Sequence, residues 1–230
     1  MLSICALSDL HGVLPNNIEP CDIVIIAGDI VPLDIQRQYI ESEDWFYSTF
    51  GNWVEELPCD KVIIVAGNHD FYLSRSPIPA INLCEWTNSK CVYLQDSLYT
   101  YISNECEVYK IYGTPWCHKF GNWAFMVDNT KLEHIYEAIP ENVDILITHD
   151  TPYIDGLDLL PPSKWSSDWV KAGNEPLANA IKEAKPKLVI CGHLHECKDR
   201  FAKIGNTEIY KASILDNKYI NVYEPTYLEL

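Results

Sequence analysis

Five short apolar runs, each cut off by a polar cluster, constrain this chain more than any other feature. The runs cover positions 3–8, 22–27, 61–66, 144–148 and 187–191 and are rich in isoleucine and valine. A strand with one wet face alternates apolar and polar side chains, whereas an unbroken apolar strand is covered on both faces. The clusters that follow are equally regular: Asp9-Leu10-His11, Gly28-Asp29, Gly67-Asn68-His69-Asp70, His149, and Gly192-His193-Leu194-His195. In an open α/β sheet, ligands gather beyond the carboxyl ends of the strands. Five strands are therefore expected to deliver their polar groups to one place.

Those groups are carboxylate, amide and imidazole, and no cysteine is among them. In extended backbone, residues two apart point the same way, so Asp9 with His11, and His193 with His195, are spaced to share a ligand. Such a mixture of oxygen and nitrogen donors suits Mn, Fe or Zn, and seven or more donors exceed one tetrahedral zinc. The reading is two metal ions with one carboxylate between them.

Helical spacing appears at 44–57, where Phe46, Phe50, Trp53, Val54 and Leu57 share a face, and again at 130–139. A third helix is expected from a cap at Asn174, with Pro176 in its first turn and Pro186 past its end. Further strands are expected at 91–95, 107–114, 208–214 and 219–223, several of them antiparallel. The 230 residues suit one domain, 1–230, and contain no linker or repeat.

Acidic residues outnumber basic ones by 33 to 17, a formal charge of −16, which argues against long nucleic acid as a partner. No run reaches the length of a membrane span, and the first residues lack a basic, then apolar, signal pattern. Nine scattered cysteines, an odd number, read as reduced thiols and point to a cytoplasmic protein. The oligomeric state is left open.

Taken in order, these motifs resemble those of the calcineurin-like metallophosphoesterases, over positions 3 to about 224. Gly113-Thr114-Pro115-Trp116 and Thr148-His149-Asp150-Thr151-Pro152 further resemble the small metallophosphoesterase-domain-containing branch. The resemblance implies a four-layer α/β/β/α sandwich with two mixed sheets flanked by helices. It implies a dinuclear phosphoesterase acting on a small phosphorylated substrate through a hydroxide between the metals. One ion would take Asp9, His11, Asp29 and His195, and the other Asp29, Asn68, His149 and His193. His69 would be the catalytic histidine, oriented by Asp70. Asp150 departs from the pattern, since related sequences usually carry a small residue there; it would either perturb the second ion or face solvent.

At branch level the resemblance favours a phosphodiesterase, with a cyclic nucleotide as one form of substrate. A phosphomonoesterase or protein phosphatase, and a non-catalytic scaffold of the same fold, remain as alternatives. Trp116 and His118 are candidates for the substrate pocket, with Phe120 and Trp123 as an aromatic wall; a packing cluster is the competing reading. Trp165 and Trp169 are candidates for a covering loop or equally for packing anchors, and Arg75 for a surface position first and a phosphate contact second.

Overall fold

A computed structural model describes residues 1–75, 83–163 and 166–230. The chain begins with β1 (Ser3–Leu7), β2 (Cys21–Ala27), a helical stretch from Tyr39 to Glu56, β3 (Cys59–Val65) and β4 (Cys91–Tyr93). It continues through β5 (Ser97–Ile102), β6 (Val108–Thr114), a short ribbon of β7 (Cys117–His118) and β8 (Met126–Val127), and β9 (Ile145–Thr148). A second ribbon of β10 (Leu159–Leu160) and β11 (Val170–Lys171) precedes β12 (Leu188–Cys191), β13 (Phe201–Ile204), β14 (Thr207–Lys211) and β15 (Thr226–Glu229).

Two sheets result. The first runs β15-β1-β2-β3-β4 and the second β13-β14-β12-β9-β6-β5. β1 to β4 are mutually parallel, as are β6, β9, β12 and β14, while β15, β5 and β13 add antiparallel edges.

The apolar runs explain the layering. Along β2, Ile23, Ile25 and Ala27 enter a core shared with Ile111, Ile145, Ile147 and Ile190 of the second sheet. The alternate residues Val24 and Ile26 pack outward against Phe46, Phe50 and Val54 of the helical stretch. Across the molecule, Leu146 and Val189 face Leu132, Tyr136, Leu177 and Ile181 of helices Asn129–Tyr136 and Glu175–Ala184. Strands of period two that are buried on both faces give the α/β/β/α sandwich.

The second helix of that outer layer starts as expected, with the Asn174 side chain accepting from the Leu177 N–H. The first helical stretch begins at Tyr39, earlier than the spacing predicts, and contains a π turn over Phe46–Phe50 that keeps both phenylalanines buried. The strand expected at 219–223 does not form. Asp216 Oδ1 accepts from Lys218 and Ile220 N–H, closing a turn in which Tyr219 is left-handed at φ 60°. The strands Ser97–Ile102, Phe201–Ile204 and Thr226–Glu229 carried no recognised sequence signal. Each lies at a sheet edge with alternating exposure, so none forms a continuous apolar run.

Candidate metal centre

The five polar clusters leave the carboxyl ends of β1, β2, β3, β9 and β12 and meet over the seam between the sheets. Four of the residues, Asp9, His11, Asp29 and His193, hold left-handed backbone with φ of 55°, 43°, 54° and 71°. This conformation costs roughly 1–2 kcal/mol per L residue, and it turns each side chain back over the strand ends. Gly28, at φ 93°, has no such penalty, and a Cβ there would lie 2.4 Å from the His149 ring. Gly192 is required by closeness alone, since its Cβ would sit 1.8 Å from Ser8 Oγ.

Asp29 is the hub. Its Oδ2 lies 3.3 Å from His149 Nε2, 3.6 Å from His11 Nε2 and 3.9 Å from His69 Nε2, and its Oδ1 accepts the His69 N–H at 2.7 Å. Asp9 anchors the other side: Oδ1 is 3.1 Å from His195 Nε2, while Ser213 Oγ and the His193 N–H donate to the carboxylate. Asn68 Oδ1 is 3.0 Å from His149 Nε2. Asp9, His11 and His195 form one group of potential donors, and Asp9, Asp29 and His149 another. Cys117 Sγ approaches His149 and His193, but burial drives its ionisation well above the usual range and it donates to the Pro115 carbonyl.

Two features fit the residues to metal ions. His11 is buried, yet neither ring nitrogen has a hydrogen-bond partner; a buried polar atom left this way costs free energy unless something else engages it. His149 and His195 place Nδ1 against the Ala27 and Asp216 carbonyls at 2.8 and 2.9 Å. A carbonyl only accepts, so each Nδ1 carries a proton and each Nε2 is the nitrogen turned to Asp29 or Asp9, where an ion would displace its proton and take the lone pair. Second contacts of this kind orient metal-binding histidines.

The electrostatics follow from crowding. Burial disfavours the Asp29 anion, but His149, His69 and His11 hold the carboxyl well below its usual range. Burial and then His195 act in the same way on Asp9. Burial pushes His11 and His193 down to about 4. For His149 burial is overruled by Asp29, which lifts it to about 10.

The site forms the floor of a cavity of about 550 Å³, whose lining includes Asp29, Asn68, His69, His193 and His195. Phe120 and Trp123 form one wall, Leu160, Pro161 and Pro162 another, and Tyr219 stacks edge-on against His11 and His195. Among the described residues no lysine or arginine lines it.

Several expectations are corrected. Asp70 does not touch the His69 ring: its oxygens accept the N–H groups of Ile30, Val31 and Gly67, while the His69 ring meets Gln36. Trp116 turns away from the cavity and donates to Asp96. His118 also lies outside the lining, bonded to Asp150. Asp150 faces no solvent; it is fully buried and holds His118 and Asn174. Arg75 lies over the Tyr39 ring, away from the cavity. Trp169 is half-exposed and outside the lining, and Trp165 lies outside the described residues. Gln36 and Tyr219 carry no motif, so nothing in the sequence marks them.

A family model described as calcineurin-like phosphoesterase matches residues 2–197. The human metallophosphoesterase domain-containing protein 1 is 29% identical over 250 residues, spanning 97% of this chain and 69% of that protein. The UPF0046 protein C25E10.12 of Caenorhabditis elegans is 28% identical, spanning 96% of this chain and 76% of its own length. The crystal structure of TT1561 from Thermus thermophilus superposes with a TM-score of 0.61 over 91% of this chain and 88% of that one, at 15% identity, which is a likeness of fold. The model match covers every motif but the turn beyond His195, and the layered fold agrees with it: this chain belongs to the calcineurin-like phosphoesterase family.

Proposed function

We propose that this chain is a metal-dependent phosphoesterase that hydrolyses a small phosphodiester, a cyclic nucleotide being one such substrate. The observation that carries the reading is the convergence of His and Asp donor side chains beside a cavity with apolar lining, which Asp29, Asn68, His193 and His195 themselves line. Asp9, His11, Asp29 and His195 would hold one ion, and Asp29, Asn68, His149 and His193 the other. Mn, Fe or Zn fits the donors. Such ions, when bound, make water acidic enough to attack at neutral pH and offset the charge of the transferring phosphoryl group.

The protein's own contributions are orientation and exclusion of water. Asp29 supplies negative charge shared by both halves of the site, and the Ala27 and Asp216 carbonyls fix the His149 and His195 rings. His69 presents Nε2 at the cavity floor, where it can move a proton at the ester's leaving oxygen, an effect of roughly 10²–10⁴-fold. Phe120, Trp123 and Pro161 offer an apolar surface for the leaving group.

A phosphomonoester would bring a second negative charge, and among the described lining residues there is no lysine or arginine to meet it. The metals alone could meet that charge, so the diester reading rests on the branch-level resemblance of Gly113-Thr114-Pro115-Trp116 and Thr148-His149-Asp150-Thr151-Pro152. All nine cysteines are free, which supports residence in a reducing compartment such as the cytoplasm. The test is to strip the protein with a chelator, restore Mn²⁺, and compare bis-p-nitrophenyl phosphate with p-nitrophenyl phosphate. Mn²⁺-dependent preference for the diester is expected. Preference for the monoester would establish the phosphatase alternative, and two bound ions without hydrolysis would favour a scaffold.

A further inference from the structure

His69 is held on three sides. Its Nδ1 faces Gln36 Oε1 at 2.5 Å, Trp123 lies across the ring with centroids 4.5 Å apart, and the His11 ring meets it edge-on at 4.8 Å. Its Nε2 alone points towards Asp29, 3.9 Å away.

The Gln36 amide is not free to turn over. Its Nε2 donates to the Leu33 carbonyl at 2.8 Å, and a carbonyl cannot donate back. The nitrogen end therefore belongs to Leu33 and the oxygen end to His69. Since Oε1 only accepts, the His69 proton sits on Nδ1, and the Nε2 lone pair is turned to the cavity. The turn that carries Gln36 is itself pinned, by the Gln38 N–H to the Ile35 carbonyl, the Gln38 side chain to the Asp34 carbonyl, and Ser42 Oγ to the Ile35 carbonyl. Trp123 is fixed in turn by Arg37, whose guanidinium lies 5.0 Å from its ring and donates to the Asn122 carbonyl.

We infer that Gln36 is the positioning residue of His69, selecting its Nδ1–H tautomer through a neutral amide where Asp70 cannot reach. The catalytic part of this inference rests on the phosphoesterase reading; the tautomer does not. With Nε2 bare, His69 can hydrogen-bond a group in the cavity without first losing a proton. To act on the leaving oxygen the ring first takes up a proton at Nε2, the direction open to substrate; were the tautomer reversed, proton uptake would fall on Nδ1, which faces Gln36.

The experiment records long-range ¹H–¹⁵N spectra of histidine-labelled, metal-free protein in wild type, Gln36→Leu and Gln36→Glu, and measures kcat, KM and metal content for each after loading with Mn²⁺. Wild type should show His69 protonated at Nδ1. Gln36→Leu should lose that signature and lower kcat roughly 10–100-fold, with KM and metal content unchanged. Gln36→Glu keeps an acceptor and should restore the Nδ1–H pattern. A wild-type ring protonated at Nε2, or an unchanged ring pattern and kcat in Gln36→Leu, overturns the inference. Ring patterns that change as stated while no form hydrolyses any ester support the positioning role and overturn the hydrolytic reading instead.

Discussion

Asp150 and His118 are bound twice, since one carboxylate oxygen accepts both the His118 ring Nδ1 at 2.8 Å and its backbone N–H at 2.9 Å. The same oxygen accepts from Asn174, the cap of helix Glu175–Ala184, and the other oxygen accepts from the Thr151 N–H. The residue next to His149 thus ties the β7 strand and an outer helix to the candidate metal centre. Replacing the carboxylate by an amide turns donors against an NH₂ group. Asp150→Asn should cost roughly 1–3 kcal/mol, read by urea denaturation. A loss smaller than the error of the measurement would show that the network is not a structural tie.

Asp29 is predicted to be shared between the two ions. Asp29→Asn should drop the metal content from two equivalents towards one and lower turnover roughly 10²–10³-fold. Plasma mass spectrometry on the purified variant reads the first quantity directly. Two retained equivalents would remove Asp29 from the bridging position.

Asp70 has a different task. Its two oxygens serve three backbone N–H groups, from Ile30, Val31 and Gly67, joining the loops after β2 and β3. Asp70→Asn offers one acceptor oxygen in place of two, leaving a buried N–H unpaired at roughly 1–3 kcal/mol. Stability should fall while the His69 tautomer stays as in wild type. A changed tautomer with unchanged stability would reinstate Asp70 as the partner of His69.

The metal-free protein should have a stability maximum near neutrality. His11 and His193 titrate at about 4 when folded, against the ordinary value of 6.5. Between those values the unfolded chain takes up protons that the folded chain refuses, so their contribution is complete above 6.5 and shrinks as pH falls. His149 is lifted to about 10; its contribution is complete below 6.5 and is lost as pH rises towards 10. Urea midpoints measured with chelator from about pH 5 to about pH 9 should therefore peak between the extremes. A monotonic trend would contradict the assignment of these rings.

The strands and their polar ends were legible because burial on both faces leaves a continuous apolar record, broken only where β2 or β12 yields to Gly28-Asp29 or Gly192-His193. The Asn174 cap was legible for a similar reason, because its chemistry is local. Gln36 was not legible, because its role depends on a carbonyl three residues back and a ring that follows a different strand. Trp116 misled because an aromatic side chain looks the same in sequence whether it faces a cavity or donates to Asp96. The 219–223 segment alternates like a strand, yet the Asp216 turn pulls Tyr219 over the histidines. Edge strands such as Phe201–Ile204 were missed because one wet face dilutes the apolar signal.

The cavity lining includes the apolar Phe120, Trp123, Leu160, Pro161 and Pro162, and among the described residues Glu196 is its charged group apart from the His and Asp donors. The surrounding protein carries a formal −16. On the proposed phosphoesterase reading, an anionic ester would approach against the field of the whole molecule. Long-range steering, which speeds capture in many enzymes and fades with salt, would then be reversed in sign. Added monovalent salt should raise the apparent second-order rate for a charged diester and leave that for a neutral triester analogue unchanged.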